Sequence, residues 1–256
     1  MFSLFRRIRQ KLIDSGSVTR YLLYAVGEIL LVVLGILIAL QINNWNEQQK
    51  QDERERLLLI NLRNDFQTRF TELKEINTAR EEAIEHILLL NRIIADRTLL
   101  PENDEMDRLL STIINSFGFN EQFNMLDVLF STGMINDLSD EELKQLLLLW
   151  PQQVEEMLEE QRGLNILYND ILRPLYYNYL SMRNINEAFE FRGYNIPKGE
   201  PVTLTQDIGG LLDDPMFENY LADAQTYLTV NIIDGRILID SAERIIELLN
   251  QNIDAY

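Results

Sequence analysis

The sequence predicts an all-α protein: one amino-terminal transmembrane helix continuing into an elongated antiparallel helical bundle. Three observations carry that prediction. Residues 21–42 read YLLYAVGEILLVVLGILIALQI, apolar on every side apart from one ionisable group, Glu28. Beyond them, apolar residues recur at spacings of three and four along three long stretches, the period of a helix with one buried face. Little of the chain alternates with the period of two that a half-buried strand requires.

The leader comes first. Residues 1–20 carry Arg6, Arg7, Arg9, Lys11 and Arg20 against one acid, Asp14. Phe2, Phe5, Ile8 and Leu12 recur at helical spacing opposite Arg6, Arg9 and Lys11. That is the pattern of a short amphipathic helix lying on a membrane surface. Ser15-Gly16-Ser17 breaks it and lets the next helix turn into the bilayer.

At about 1.5 Å rise per residue, residues 21–42 are long enough for a hydrocarbon core of about 30 Å. A cleaved signal peptide would have a shorter apolar region, about 7–15 residues, ending in small residues at a cleavage site. This run passes through Ile38-Ala39-Leu40-Gln41 with no such pattern, so it reads as an uncleaved anchor. Five basic residues before the span put the amino terminus in the cytoplasm. Residues 43–256 are then extracytoplasmic. Trp45, beside Asn43 and Asn44, stands where an interfacial aromatic belongs, and Tyr21 and Tyr24 mark the other boundary.

Glu28 lies about two turns into the span, where a carboxylate costs a few kcal/mol, less near an interface. It should be protonated, paired, or turned to a protein or water surface. At 100° per residue Tyr21, Ala25, Glu28, Val32, Gly35, Ala39 and Asn46 share one face. Small residues at 25, 35 and 39 allow a second helix to approach closely. The expected partners are the lipid bilayer and a second copy of the chain, with a separate membrane protein as the other candidate. Glu28 is either a hydrogen-bonding group across that seam or a proton-bearing, partner-docking carboxylate.

The run GEILLVVLGILIALQINNWNE at residues 27–47, with FRRIRQKL and RYLLYAVGE upstream, resembles the start of a family of uncharacterised bacterial membrane proteins. The stretch LDVLFSTGMINDLSDEELKQLL, from Leu126, is similar to a recurrent L-x-S-[ST]-G…L…D-x-x-L pattern in the same family. The resemblance implies a basic leader, this span and a helical extracytoplasmic region of unknown function. It implies placement and no activity.

Between Ile36 and Leu100 there is neither proline nor glycine, so the spanning helix has no obligatory break. Leu59, Leu62, Phe66, Phe70, Leu73, Ile76, Ala83, Ile87 and Ile94 form its apolar stripe. Asn77 and Arg80 interrupt the stripe, as a polar core layer or as a bend. Pro101 ends the helix. Asn103 or Asp104 caps a short helix to about Ser116, and Asn120 another over residues 121–131. Gly133 suits a left-handed cap, and Ser139 opens a capping box with Glu142. That helix runs to Trp150, where Pro151 stops or restarts it.

A long helix is expected over about 152–191, with Val154, Leu158, Leu164, Leu167, Ile171, Leu175 and Tyr179 inward and a kink at Pro174. The Tyr176-Tyr177-Asn178-Tyr179 cluster reads as core with wet tips, or as a ligand wall. Residues 193–214, rich in glycine and proline, read as the one real loop. Asp214-Pro215 is an N-cap followed by proline at the first helical position. The last helix runs to about Asn252, with Phe217, Leu221, Ala224, Leu228, Ile232, Leu238, Ala242, Ile245 and Leu249 inward. Gly235 inside it predicts a close helix crossing.

Charge and composition narrow the function. The chain carries −18; with the leader at +4 and Glu28 at −1, the remainder carries −21. So acidic a domain repels phosphate backbones, which argues against nucleic acid as a partner. There is no cysteine, which removes disulfides, thiol catalysis and iron–sulfur clusters. His86 is the only histidine, so no two-histidine metal site forms within one chain. No phosphate loop, nucleophile elbow or calcium loop is present. The expectation is a non-enzymatic protein with no cofactor and no metal. It would be an oligomeric interaction or sensory module, or alternatively a subunit of an ion-driven or transport assembly with Glu28 bearing the proton.

Overall fold

The computed structural model describes residues 18–114, 118–119, 124–136, 138–191, 194–195, 197, 199 and 204–255. The amphipathic leader with Arg6, Arg7, Arg9 and Lys11, and the break at Ser15-Gly16-Ser17, lie outside the described residues, as do residues 120–123. The protein is all-α. Helix α1 is Val18–Ala95, 78 residues in one element, as expected of a stretch lacking proline and glycine from residue 36 onward. Two compact units divide the chain between Leu58 and Leu59. In the first unit, the helix is long and apolar enough to cross a membrane, and none of its apolar window is buried.

The second unit is built on three long helices: α1 from Leu59 onward, α4 (Glu141–Leu167) and α8 (Pro215–Asp254). Its core includes Leu59, Leu62, Phe66, Leu73, Ile76, Ala83, Ile87, Leu90 and Ile93 from α1. Phe70 and Ile94 are only half-buried; Leu90 and Ile93 take the inward positions instead. Every residue assigned inward on α8 is buried.

Helix α8 runs antiparallel to both others. Arg63 donates to Asn250 Oδ1 at 3.4 Å, and further along α1 Asn77 donates to the Ile232 carbonyl at 3.1 Å. On α4, Glu142 near the start binds Arg244 near the end of α8. Helices α1 and α4 therefore run the same way, with Phe66 against Trp150 and Arg80 reaching Gln161. The chain returns between them through α2 (Asn103–Thr112) and α3 (Asn124–Ser131). Asp65 near the start of this unit accepts from the Met125 amide at 3.2 Å.

Several local expectations are corrected. Helix α1 stops at Ala95, and Asp96 caps a 3₁₀ turn at Arg97–Leu99 before Pro101 is reached. Glu102, not Asn103 or Asp104, precedes α2, which ends at Thr112. The cap of α4 is Asp140, which accepts from the Leu143 amide at 3.0 Å, rather than Ser139 one residue earlier. Pro151 lies inside α4 and does not stop it. The proline forfeits one backbone hydrogen bond, and the packing of Leu147, Trp150, Val154 and Met157 on both sides of it carries the helix through.

The helix expected over 152–191 is divided. A π-helical turn, Tyr168–Leu172, precedes Pro174; α5 (Arg173–Tyr179) follows, and Ser181 caps α6 (Met182–Ala188). A wider turn ahead of a proline relieves the clash its ring makes with the preceding turn. A two-residue hairpin pairs Glu190–Phe191 with Tyr194–Asn195. The segment expected as loop also contains α7 (Ile208–Asp213), capped by Asp207, which accepts from the Gly210 amide at 2.8 Å. Gly133 has a φ of 75°, and Asp214 caps α8 through the Met216 amide at 2.9 Å, both as expected.

Candidate functional site

The face of the apolar run that carries Glu28 is open along its length. Glu28, Val32, Gly35 and Ala39 are exposed and Ala25 is partly covered. A Cβ built at Gly35 meets nothing within 4 Å, so nothing among the described residues occupies the space a close-packed helix would take. Asn43, Asn44 and Trp45 are exposed at the far end of the apolar run. Arg20, Tyr21 and Tyr24 belong to α1, and their side chains lie outside what is described.

The second unit contains a polar layer in the middle of its core, which settles the choice at Asn77 and Arg80. Arg80 is 2% exposed, with its guanidinium among neutral acceptors from three helices. Its Nη1 donates to Asn77 Oδ1 at 3.4 Å, the Asn231 carbonyl at 3.3 Å and Met157 Sδ at 3.5 Å, and its Nη2 to Gln161 Oε1 at 3.4 Å. Burial lowers its pKa to about 10, and the Asp234 charge opposes that shift. Asp234 is itself raised, first by burial and then by Glu156, with Arg80 pulling it back down. Gly235 is buried against Asn77, whose amide occupies the place a Cβ would take; this is the close crossing that the glycine predicts.

Sequence reasoning missed Gln161, Asn231 and Asp234. A signal for the first two existed. Asn231 stands three residues after buried Leu228 and four before Gly235, and Gln161 four after Met157 and three before Leu164, both on inward positions.

At the other end of α4, the tyrosine cluster proves to be three unlike residues. Tyr176 is fully buried and donates to the Leu110 carbonyl at 3.0 Å. Tyr177 is exposed and holds Arg173 by its hydroxyl and its ring face. Tyr179 donates to Asp214 at 3.0 Å. They form no common wall. Tyr220 donates to the Ile113 carbonyl at 3.0 Å, so two buried hydroxyls from α5 and α8 satisfy carbonyls at the end of α2. Tyr176→Phe and Tyr220→Phe are each expected to cost about 1 kcal/mol of unfolding free energy, the net worth of one buried hydrogen bond. Urea unfolding of the two single variants and the double checks this; an unchanged midpoint in the double excludes it.

A cavity of about 270 Å³ is lined by Asp104, Asp107, Arg108, Asn184, Glu187 and Ala188. Asp107 is buried, accepts from Gln206 at 3.0 Å and has a raised pKa, chiefly from burial. His86 is half-buried against Thr112, and burial lowers its pKa. The neutral ring needs only one donor and one acceptor, which makes that position tolerable. No group of three His, Cys, Asp or Glu residues stands together as metal ligands among the described residues.

These features define an all-α protein of two units, one bearing a helix fit to cross a membrane and the other a helical core with a buried polar layer. Residues 28–144 match the profile of a family of unknown function (DUF6090), and the chain is similar to that family from Glu28 in the apolar run to Lys144 in α4. No curated protein and no solved structure matches it.

Proposed function

We propose that the protein is a non-enzymatic, membrane-anchored helical interaction or sensory module that self-associates through its span. On this reading the amino terminus is cytoplasmic, the membrane is a bacterial inner membrane, and the residues after the span face the periplasm. The observation that carries the proposal is an exposed carboxylate sharing one face with Ala25, Gly35 and Ala39 on the apolar run of α1, none of whose apolar window is buried. In hydrocarbon a carboxylate is stabilised by a hydrogen-bonding partner, and small residues let a partner helix come close enough to provide one.

Crosslinking and light scattering of the full chain in mild detergent test this. Two or more copies are expected, and a strictly monomeric chain sinks the proposal. Glu28→Gln keeps the size and hydrogen bonding of the side chain without its titratable proton, and is expected to leave assembly and cellular function intact. Glu28→Leu removes the hydrogen bond and is expected to weaken self-association about tenfold, on the scale of one interhelical hydrogen bond in a membrane. If Glu28→Gln instead assembles normally and abolishes function, Glu28 carries a proton and the ion-driven alternative replaces this one.

A further inference from the structure

The cavity between α2 and α6 carries charge of both signs on its walls. Helix α2 contributes Asp104, Asp107 and Arg108, and α6 contributes Asn184, Glu187 and Ala188. Its volume of about 270 Å³ is many times a water molecule's share of the liquid, about 30 Å³, and lies at the small end of ligand sites. The space suits one small molecule.

Two of the wall groups are already engaged. Asp107 is buried, accepts from Gln206 at 3.0 Å and is also hydrogen-bonded by Asn184. One oxygen of Glu187 accepts from the Gly199 amide at 2.8 Å. Asp104 and Arg108 differ. Among the described residues neither side chain makes a hydrogen bond or joins an ion pair within 4.0 Å, although both line the cavity. They stand four residues apart, about 6 Å along α2, with the acid nearer the amino terminus, the order in which such a pair closes readily. Here the pair stays open.

The wall chemistry limits what can fill the space. A simple anion would meet the carboxylates of Asp104, Asp107 and Glu187, and a simple cation would leave the Arg108 guanidinium facing a like charge. A zwitterion satisfies both, its carboxylate on the guanidinium fork and its ammonium among the carboxylates. The ammonium also relieves Asp107, whose pKa is raised first by burial and further by the like charge of Asp104. Ala188 is the one apolar residue among the lining residues named, so a large apolar side chain on the ligand would gain little.

We propose that this cavity binds a small free amino acid, with Arg108 holding its carboxylate and Asp104 and Glu187 its ammonium. The site belongs to the second unit, so it stands or falls separately from self-association through the apolar run.

Isothermal titration of the full chain in mild detergent tests this with glycine, L-alanine and L-serine, and with acetate and ethylamine as single-charge probes. At least one of the amino acids is expected to bind at one site per chain, about tenfold or more tighter than acetate or ethylamine, the scale of one charge-assisted hydrogen bond. Arg108→Gln and Asp104→Asn, both exposed on α2, are each expected to weaken that binding about tenfold or more, with unchanged helical circular dichroism. Binding by none of the three amino acids overturns the proposal. So does acetate or ethylamine binding as tightly as they do, a comparison that needs no variant. Equal affinity in the parent chain and both variants puts the ligand elsewhere and overturns it too.

Discussion

Trp150→Ala is expected to destabilise the helical unit by about 3–5 kcal/mol, the cost of truncating a buried aromatic side chain to a methyl group. Trp150 is 1% exposed and meets the Phe66 ring edge-on, with centroids 4.9 Å apart. This contact joins α1 to α4, two helices that run the same way and are connected only through the returning segment between them. It also stands one residue before Pro151, where α4 lacks a backbone hydrogen bond and depends on packing to stay continuous. The variant therefore loses both an aromatic pair and the support of a weakened helical turn. Urea unfolding of the full chain in mild detergent, followed by circular dichroism, measures the loss. Trp150→Phe, which keeps a ring against Phe66, should recover about half of it. A shift in Trp150→Ala below about 1 kcal/mol would falsify the reading of Trp150 as a closely packed core residue.

The second large effect is expected at Arg80, and it depends on what replaces the side chain. Arg80→Ala should cost about 2–5 kcal/mol, because it leaves a large void and strips a donor from acceptors on three helices. Arg80→Met keeps most of the length but strips the same donors, so it is expected to cost about 1–3 kcal/mol, less than alanine by the void it avoids. The difference between the two variants separates volume from charge. Equal destabilisation by alanine and methionine would show that the guanidinium's hydrogen bonds, long as they are, hold the layer together. Denaturant midpoints of the two variants decide the matter.

Periodicity in the sequence was enough to identify most of the inward faces of α8 and α1, though on α8 it left out Tyr220, Asn231, Leu248 and Ile253. A helix facing one core repeats its apolar residues at three and four, and nothing in those stretches competes with that signal. Caps were legible where the residue types are unambiguous, at Asp214-Pro215 and Gly133. They slipped by a residue where several candidates adjoin, as at Ser139-Asp140, because which side chain turns inward to the amide depends on the approach of the preceding chain. Pro151 and Pro174 were readable as disturbances but not in their outcome. One is absorbed within a continuous helix and the other follows a π-helical turn, and in each case the packing on either side decides. The tyrosine run gave no hint that Tyr176 turns into the core while Tyr177 turns out to solvent.

By itself, the sequence determined the all-α class, a helix long and apolar enough to span a membrane, and the placement of Glu28 among small residues on one face of it. Those features follow from local composition and the 100° step of a helix, and they need no knowledge of distant partners. Only the tertiary structure decided that Asn77 and Arg80 form a core layer rather than a bend, and that Gln161 and Asn231 complete it. A polar residue on an apolar stripe has two outcomes, and the choice depends on whether helices far along the chain bring acceptors to it. Arg80 finds them 77 to 151 residues away, on α4 and α8, at separations that no local pattern records.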